Sequence, residues 1–387
     1  MGDSQRIGYG QLLREARERL EEGTDFTVSV EEEFALLDPE GLDLVNRFEE
    51  VQAAAQGTAL AANLAGELIA SEVEIKTGRC ATFADVPAAL AERREQLGAC
   101  IEPLGLALCA TGTHPWASWK DQRIIDTPHY RRNDELLRYV VWRNNTFGFH
   151  VHVGIRGADR AIRVHDALRR FLPELLAISA SSPFAEDVLT GLHSTRTQLF
   201  TKFFPRCGVP DPYRDWATFE GYVRLLYETR SMDEHTQLWW SLRPHLAFPT
   251  IEIRNCDGQP ELEDAQALAA LCTSLVARVA YALDEGEPLA DPPPRLIEEN
   301  MWRAIRYGLS GEFIDLTTGD VSPTREHLER LVEWVRPAAE EIGAAAWLAV
   351  PAANAAERQI ARFAEGATLA EIYAEQAAAS AWVPRLA

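Results

Sequence analysis

Apolar and polar positions alternate along residues 27–38, Thr-Val-Ser-Val-Glu-Glu-Glu-Phe-Ala-Leu-Leu-Asp, with the two-residue period of a β-strand. Asp38-Pro39-Glu40-Gly41 closes the run with turn residues. In an extended chain Glu31 and Glu33 share one face and Glu32 takes the other. The pattern then returns. In residues 67–78 Glu72 and Glu74 share a face, with Val73 and Ile75 opposite; in 147–154 His150 and His152 project together, against Phe149, Val151 and Val153. In 249–257 Glu252 and Arg254 share a face, with Ile251 and Ile253 behind them. Two more extended segments are predicted at 105–112 and 238–245.

Helical spacing marks 11–23, 85–102, 134–143, 159–176, 218–229, 261–285 and 298–308, the last with Asn300, Arg303 and Arg306 on its polar face. Residues 48–64 read as an Ala-rich connection, 200–205 as an aromatic segment, and Ala-rich helices fill the remainder to Ala387. The Pro-rich stretch 284–294 is the clearest linker, but the chain beyond it does not resemble a free-standing domain. The expectation is one catalytic domain over 1–387, with 1–24 a helical extension and 295–387 a helical part packed on it. The predicted class is α+β: an antiparallel sheet backed by helices buries the Val, Ile and Phe set and turns all four polar pairs to the other face.

Charge narrows the partners. The 387 residues include 38 basic and 59 acidic side chains, a net charge of -21, which argues against nucleic acid or an anionic membrane. At 47% hydrophobic and 25% charged the composition is that of an ordinary globular protein. The six cysteines (Cys80, Cys100, Cys109, Cys207, Cys256, Cys272) show no Cys-x-x-Cys spacing and fit reduced thiols. The charged N-terminal helix is not a signal peptide, and no uninterrupted apolar run approaches membrane-spanning length, so a cytoplasmic location is expected.

Carboxylates held side by side repel one another unless a cation sits between their oxygens, and hard divalent cations such as Mg2+ take oxygen ligands. A lone Glu-x-Glu is most simply an edge strand facing water; four recurrences on one sheet face are not. Two or three Mg2+ ions would be stabilised there and would hold a triphosphate. Arg254, Arg243, Arg196 and Arg306 could clamp phosphate or carboxylate, although for each arginine separately a surface ion pair is the plainer reading, which only Arg254 escapes. No P-loop, dinucleotide fingerprint or serine nucleophile elbow is present.

The segments Val-Glu-Glu-Glu-Phe-Ala-Leu-Leu-Asp-Pro (30–39), Ser-Glu-Val-Glu-Ile-Lys-Thr-Gly (71–78), Gly-Thr-His-Pro (112–115), Phe-Gly-Phe-His-Val-His-Val-Gly (147–154), Ser-Ala-Ser-Ser-Pro-Phe (179–184), Leu-Arg-Pro-His (242–245), Thr-Ile-Glu-Ile-Arg-Asn-Cys-Asp (250–257) and Trp-Arg-Ala-Ile-Arg-Tyr-Gly-Leu (302–309) together resemble the bacterial carboxylate-amine ligase, or glutamate-cysteine ligase type 2, family. The resemblance implies a glutamine-synthetase-like fold and ligation of an acid, L-glutamate, to an amine, cysteine or another, driven by ATP with Mg2+ or Mn2+ through an acyl phosphate. It implies Glu31, Glu33, Glu74, His150 and Glu252 as metal ligands, and His152 and Arg254 at the phosphates. Arg243 and Arg196 would serve phosphate or the acid, with Glu252, Arg254 and Arg243 carrying the chemistry. Two positions depart from the family pattern: Ser241 stands where an acid is expected and Glu72 where an uncharged residue is expected. A guanidino-kinase-like phosphotransferase, a non-catalytic metal- and nucleotide-binding regulator and a dinuclear hydrolase are the alternatives, and a homo-oligomer is compatible with all of them.

Overall fold

All four strands that carry a polar pair enter the same sheet. The computed structural model describes residues 3–381. Its strands are β1 (Val28–Leu37), β2 (Leu64–Ala65), β3 (Glu72–Lys76), β4 (Ala107–Cys109), β5 (Gly148–Gly154), β6 (Phe184–Ala185), β7 (Val188–Leu189), β8 (Leu242–Pro244), β9 (Thr250–Asp257), β10 (Glu312–Ile314) and β11 (Val321–Pro323). The main sheet has the order β2-β3-β1-β5-β9-β8, with β4 also paired to β1. Every neighbouring pair is antiparallel. The architecture is therefore α+β, as expected.

Burial explains which face is which. Val30, Phe149, Val151, Val153, Ile251 and Ile253 pack into one apolar cluster with the helices Ala158–Leu168, Leu172–Ser179 and Leu262–Asp284. Val73, Ile75, Phe34 and Leu36 join a second cluster under the helix Val86–Ile101. The helix Leu262–Asp284 amends the sequence reading: its 23 residues are long and apolar enough to cross a membrane by length and composition, yet 78% of its apolar window is buried inside the protein. It is the core helix onto which Thr324–Glu341 and the sheet pack.

Several boundaries move. The helix expected at 134–143 begins at Pro128, because Thr127 caps it by accepting from the Tyr130 amide, and it breaks at Arg138 (φ 50°) before a short turn, Tyr139–Trp142. Residues 48–64 contain a true helix, Phe48–Ala55, and the aromatic segment is the end of a Ser194-capped helix, Thr195–Phe203. The strands expected at 105–112 and 238–245 shrink to β4 and β8. A hairpin of β10 and β11 interrupts the C-terminal helices, and residues 382–387, expected to continue them, lie outside the described residues.

Candidate active site

Strand register brings the polar pairs together. Glu31 lies opposite His150 on β5 and Lys76 on β3, Glu33 opposite Glu74, and Ala35 opposite Glu72. His152 lies opposite Glu252, which lies opposite Arg243. Directly opposed residues of antiparallel strands share a face, so all of these side chains leave the sheet on the side opposite the helices Ala158–Leu168, Leu172–Ser179 and Leu262–Asp284. Glu32 points the other way and meets Arg94, whose Nη2 donates to it at 2.6 Å; both are buried.

β9 contains a bulge opposite His150: Val151 pairs with Ile253 but Phe149 with Cys256. The extra residue lets Arg254 keep the polar face while Cys256 returns to the core. Gly148 is required here, since a Cβ would run into the Arg196 guanidinium and the His150 ring.

Two triads converge. Ligand atoms of Glu31, Glu74 and His150 lie within 4.8 Å of one another, and so do those of Glu31, His152 and Glu252, with Glu31 shared. Among the described residues buried His152 Nε2 has no hydrogen-bond partner, and it stands 3.5 Å from Glu31 Oε2 and 3.7 Å from Glu252 Oε1. An orphaned imidazole nitrogen facing two carboxylates, on an oxygen-rich surface, is a donor set that suits a divalent cation. Glu33 belongs to neither triad; its Oε1 is 3.7 Å from His150 Nε2, and its other oxygen accepts from the Gly148 amide. Lys76 Nζ lies between Glu31 (3.0 Å) and Glu74 (2.9 Å).

Charge divides the surface. Burial opposes ionisation of Glu252, but Arg243 and Arg254 outweigh it and hold its carboxyl well below the usual range. Burial likewise opposes ionisation of Glu31, which His152, His150 and Lys76 nevertheless keep well below that range. On the other side, burial raises Glu74 well above its ordinary value, with Glu31 adding repulsion, and raises Glu72, with Glu33 adding to it. Burial and then Glu33 push Glu67 up to about 7.

Two cavities flank the triads. One is lined by Glu33, Glu67, Glu72, His150, Arg196 and Arg254 with aromatic walls from Tyr130 and Trp239. The other is lined by Glu31, His152, Lys76, Arg79, Asn63 and Phe248. Arg243 is committed to the framework: Nε donates to Glu252 at 2.6 Å, and Nη1 donates to the carbonyls of Leu238 and Thr236. Arg306 is not brought to the site; it donates to the Gly191 carbonyl and lines neither cavity. Glu67 was not singled out by the sequence reading, because it precedes β3 and no alternation reaches it. His114, in the Gly-Thr-His-Pro segment, is structural: its Nδ1 accepts from the Trp116 and Ala117 amides, and its other ring nitrogen meets the Leu42 carbonyl at 2.8 Å.

The chain matches the profile of glutamate-cysteine ligase family 2 over residues 27–375. It is 36% identical over 351 residues to a chain named for glutamate–cysteine ligase 2 in Solibacter usitatus, covering 89% of this chain and 91% of that one. It is 38% identical over 318 residues to one so named in Rubrobacter xylanophilus, covering 82% and 84%. Among solved structures it resembles a glutamate–cysteine ligase from Francisella tularensis in complex with AMP (TM-score 0.66, 11% identity, 93% of this chain and 90% of that one). It also resembles a bifunctional glutathione synthetase from Pasteurella multocida (TM-score 0.67, 13% identity, 97% and 54%).

Proposed function

This chain belongs to glutamate-cysteine ligase family 2 and is a ligase that forms carbon–nitrogen bonds, and from that premise we propose that it joins the γ-carboxyl of L-glutamate to an amine at the expense of ATP. With cysteine as the amine the product is γ-glutamylcysteine. A γ-carboxylate oxygen bonds to the γ-phosphorus of ATP as the bond to the β,γ-bridging oxygen breaks, giving ADP and an acyl phosphate. The amine nitrogen then bonds to the acyl carbon, the carbon–oxygen bond to phosphate breaks and a proton leaves nitrogen, giving amide and phosphate.

The observation that carries this reading is the convergence of Glu31, Glu74, His150, His152 and Glu252 from separate strands into two cation-ready triads between two cavities of opposite character. Those residues would hold Mg2+ or Mn2+, with Glu33 adjoining. A bound divalent ion would offset charge on the phosphates. A triphosphate is repelled by the Glu33, Glu67 and Glu72 side, so the nucleotide is assigned to the cavity of Lys76, Arg79, His152 and Phe248. Arg254, which lines the cavity on the Glu33 side and whose buried Nε has no partner among the described residues, would face the transferring phosphoryl group from there. Arg243 acts as a positioning residue: it fixes Glu252 and has little left to offer a substrate. The unpaired thiols fit a reducing compartment, and the cytoplasm is the location that goes with this reading.

A coupled assay tests the proposal. ADP and phosphate should both appear only when acid and amine are present together; ADP without free phosphate would indicate a kinase instead. Glu252→Gln should lower turnover at least about 100-fold with an unchanged circular dichroism spectrum. Wild-type rates in that variant would refute the assignment.

A further inference from the structure

A third cavity lies away from the triads. It encloses about 320 Å³ between the start of the helix Leu172–Ser179, the helix Thr324–Glu341 and the chain at 287–289, and no strand of the main sheet lines it. Small-molecule sites begin at about 300 Å³ and set a few polar groups among apolar walls. Most of the charged groups here are already paired. Glu287 accepts from Arg278 Nη2 at 2.6 Å, Asp315 Oδ1 accepts from the Thr317 and Thr318 amides at 2.8 and 3.1 Å, and Arg330 meets Glu326 at 3.7 Å. Glu174 and Arg170 are the exceptions. Glu174 Oε2 is buried with no hydrogen-bond partner among the described residues, and so is His327 Nε2. Arg170 makes no hydrogen bond or ion pair among the described residues; its guanidinium ends a stack instead. Arg278 lies over the Trp334 ring at 4.6 Å, Trp334 stacks on Phe171 at 5.4 Å, and Arg170 lies over Phe171 at 5.2 Å. Contact with the ring holds the guanidinium in place and uses none of its N–H donors. A buried carboxyl and a guanidinium left unsatisfied in one cavity are complementary to a ligand that carries both opposite charges.

We propose that this cavity is an accessory site for an α-amino acid with an apolar side chain. The α-ammonium donates to Glu174 and His327, the α-carboxylate accepts from Arg170, and the side chain lies against Pro288, Leu289 and Leu331. A ligand with only a negative charge would face the Glu174 carboxyl, and one with only a positive charge would face Arg170. A metal ion lacks a donor set, because no three ligand atoms of this cavity converge among the described residues. An apolar amino acid has no side-chain carboxylate to activate, so it is not the acid of the ligation. The inference is independent of the ligase reading, since it uses neither the triads nor the two cavities beside them.

Calorimetric titration of the full chain tests this with three probes: L-leucine, 4-methylpentanoate, which lacks its ammonium, and 3-methylbutylamine, which lacks its carboxylate. Wild-type protein should bind L-leucine at least about tenfold more tightly than either analogue. Glu174→Gln, nearly isosteric, should remove the preference over 4-methylpentanoate and keep that over 3-methylbutylamine. Arg170→Met, which keeps bulk over the Phe171 ring, should do the converse. L-Leucine should still bind at saturating ATP, Mg2+ and L-glutamate. Absence of L-leucine binding to wild-type protein would overturn the proposal, and so would preferences that neither substitution alters. Displacement of L-leucine by ATP or L-glutamate would put it in the active site and overturn the assignment to this cavity. If the crossed pattern holds but no amine elicits phosphate release from ATP and L-glutamate, the ligase reading falls while the accessory site stands.

Discussion

Whether a buried carboxyl is ionised depends on the nitrogens it faces. Glu252 is clasped by Arg243 and Arg254, which hold its carboxyl well below the usual range, whereas burial, with Glu33 and Glu67 adding to it, raises that of Glu72 on β3 well above it. Outside the site the same physics acts on Glu174, in the helix Leu172–Ser179. Its Oε2 is buried without a partner among the described residues, and burial pushes its carboxyl up to about 7. The folded form is then the better proton binder, so stability is present below the unfolded value of 4.5 and is lost as pH rises from there to about 7. Glu174→Gln should therefore raise the melting temperature at pH 8, by up to about 3 kcal/mol of stability, and leave it nearly unchanged at pH 4.5. An equal gain at both pH values would show that packing, not ionisation, was responsible.

At the scale of elements, the two-residue period made the faces of β1, β3, β5 and β9 legible, because alternation is a property of each strand alone. Strand order and register are not, since they depend on which distant segments pair; the opposition of Glu31 to both His150 and Lys76 could be seen only in the folded sheet. Residues outside these strands were hidden for a related reason. Glu67 lies before β3, and Arg306 sits on a helix whose polar face gave no clue that it would turn to the Gly191 carbonyl. The acid on the opposite face of β1 has its explanation in Arg94, which donates to both oxygens of Glu32 and to the carbonyls of Gln259 and Pro260, joining the helix Val86–Ile101 to β1 and to the chain beyond β9. Replacing Arg94 by Met would leave a buried, unpaired carboxylate and should cost about 3–5 kcal/mol, measured by denaturant unfolding. Adding Glu32→Gln should recover a good part of that loss, because the charge that needed a partner is gone.

The whole molecule closes on its own N-terminus. The helix Asp3–Glu21 lies ahead of the family match, which begins at residue 27, yet Leu13 and Leu20 are fully buried in the largest apolar cluster, with Tyr9 stacked on Tyr227 at 5.1 Å. The Leu20 carbonyl accepts from the Gly157 amide at 2.7 Å, and Arg19 donates to the Leu246 carbonyl at 3.2 Å in the turn between β8 and β9. That turn carries Phe248, a wall of the cavity assigned to the nucleotide, and its neighbour His245 stacks on Phe248 at 4.8 Å. An element with this much buried apolar surface is part of the core and not an appendage. Leu20→Ala should cost about 2–5 kcal/mol. Arg19→Ala removes the tie to the turn and a half-exposed ion pair with Glu15 within the helix, so it should leave the melting temperature within a few degrees while raising the KM for ATP more than that for the acid. If instead both KM values rise in step, the helix supports the site only through global stability, and the β8–β9 turn holds its place without it.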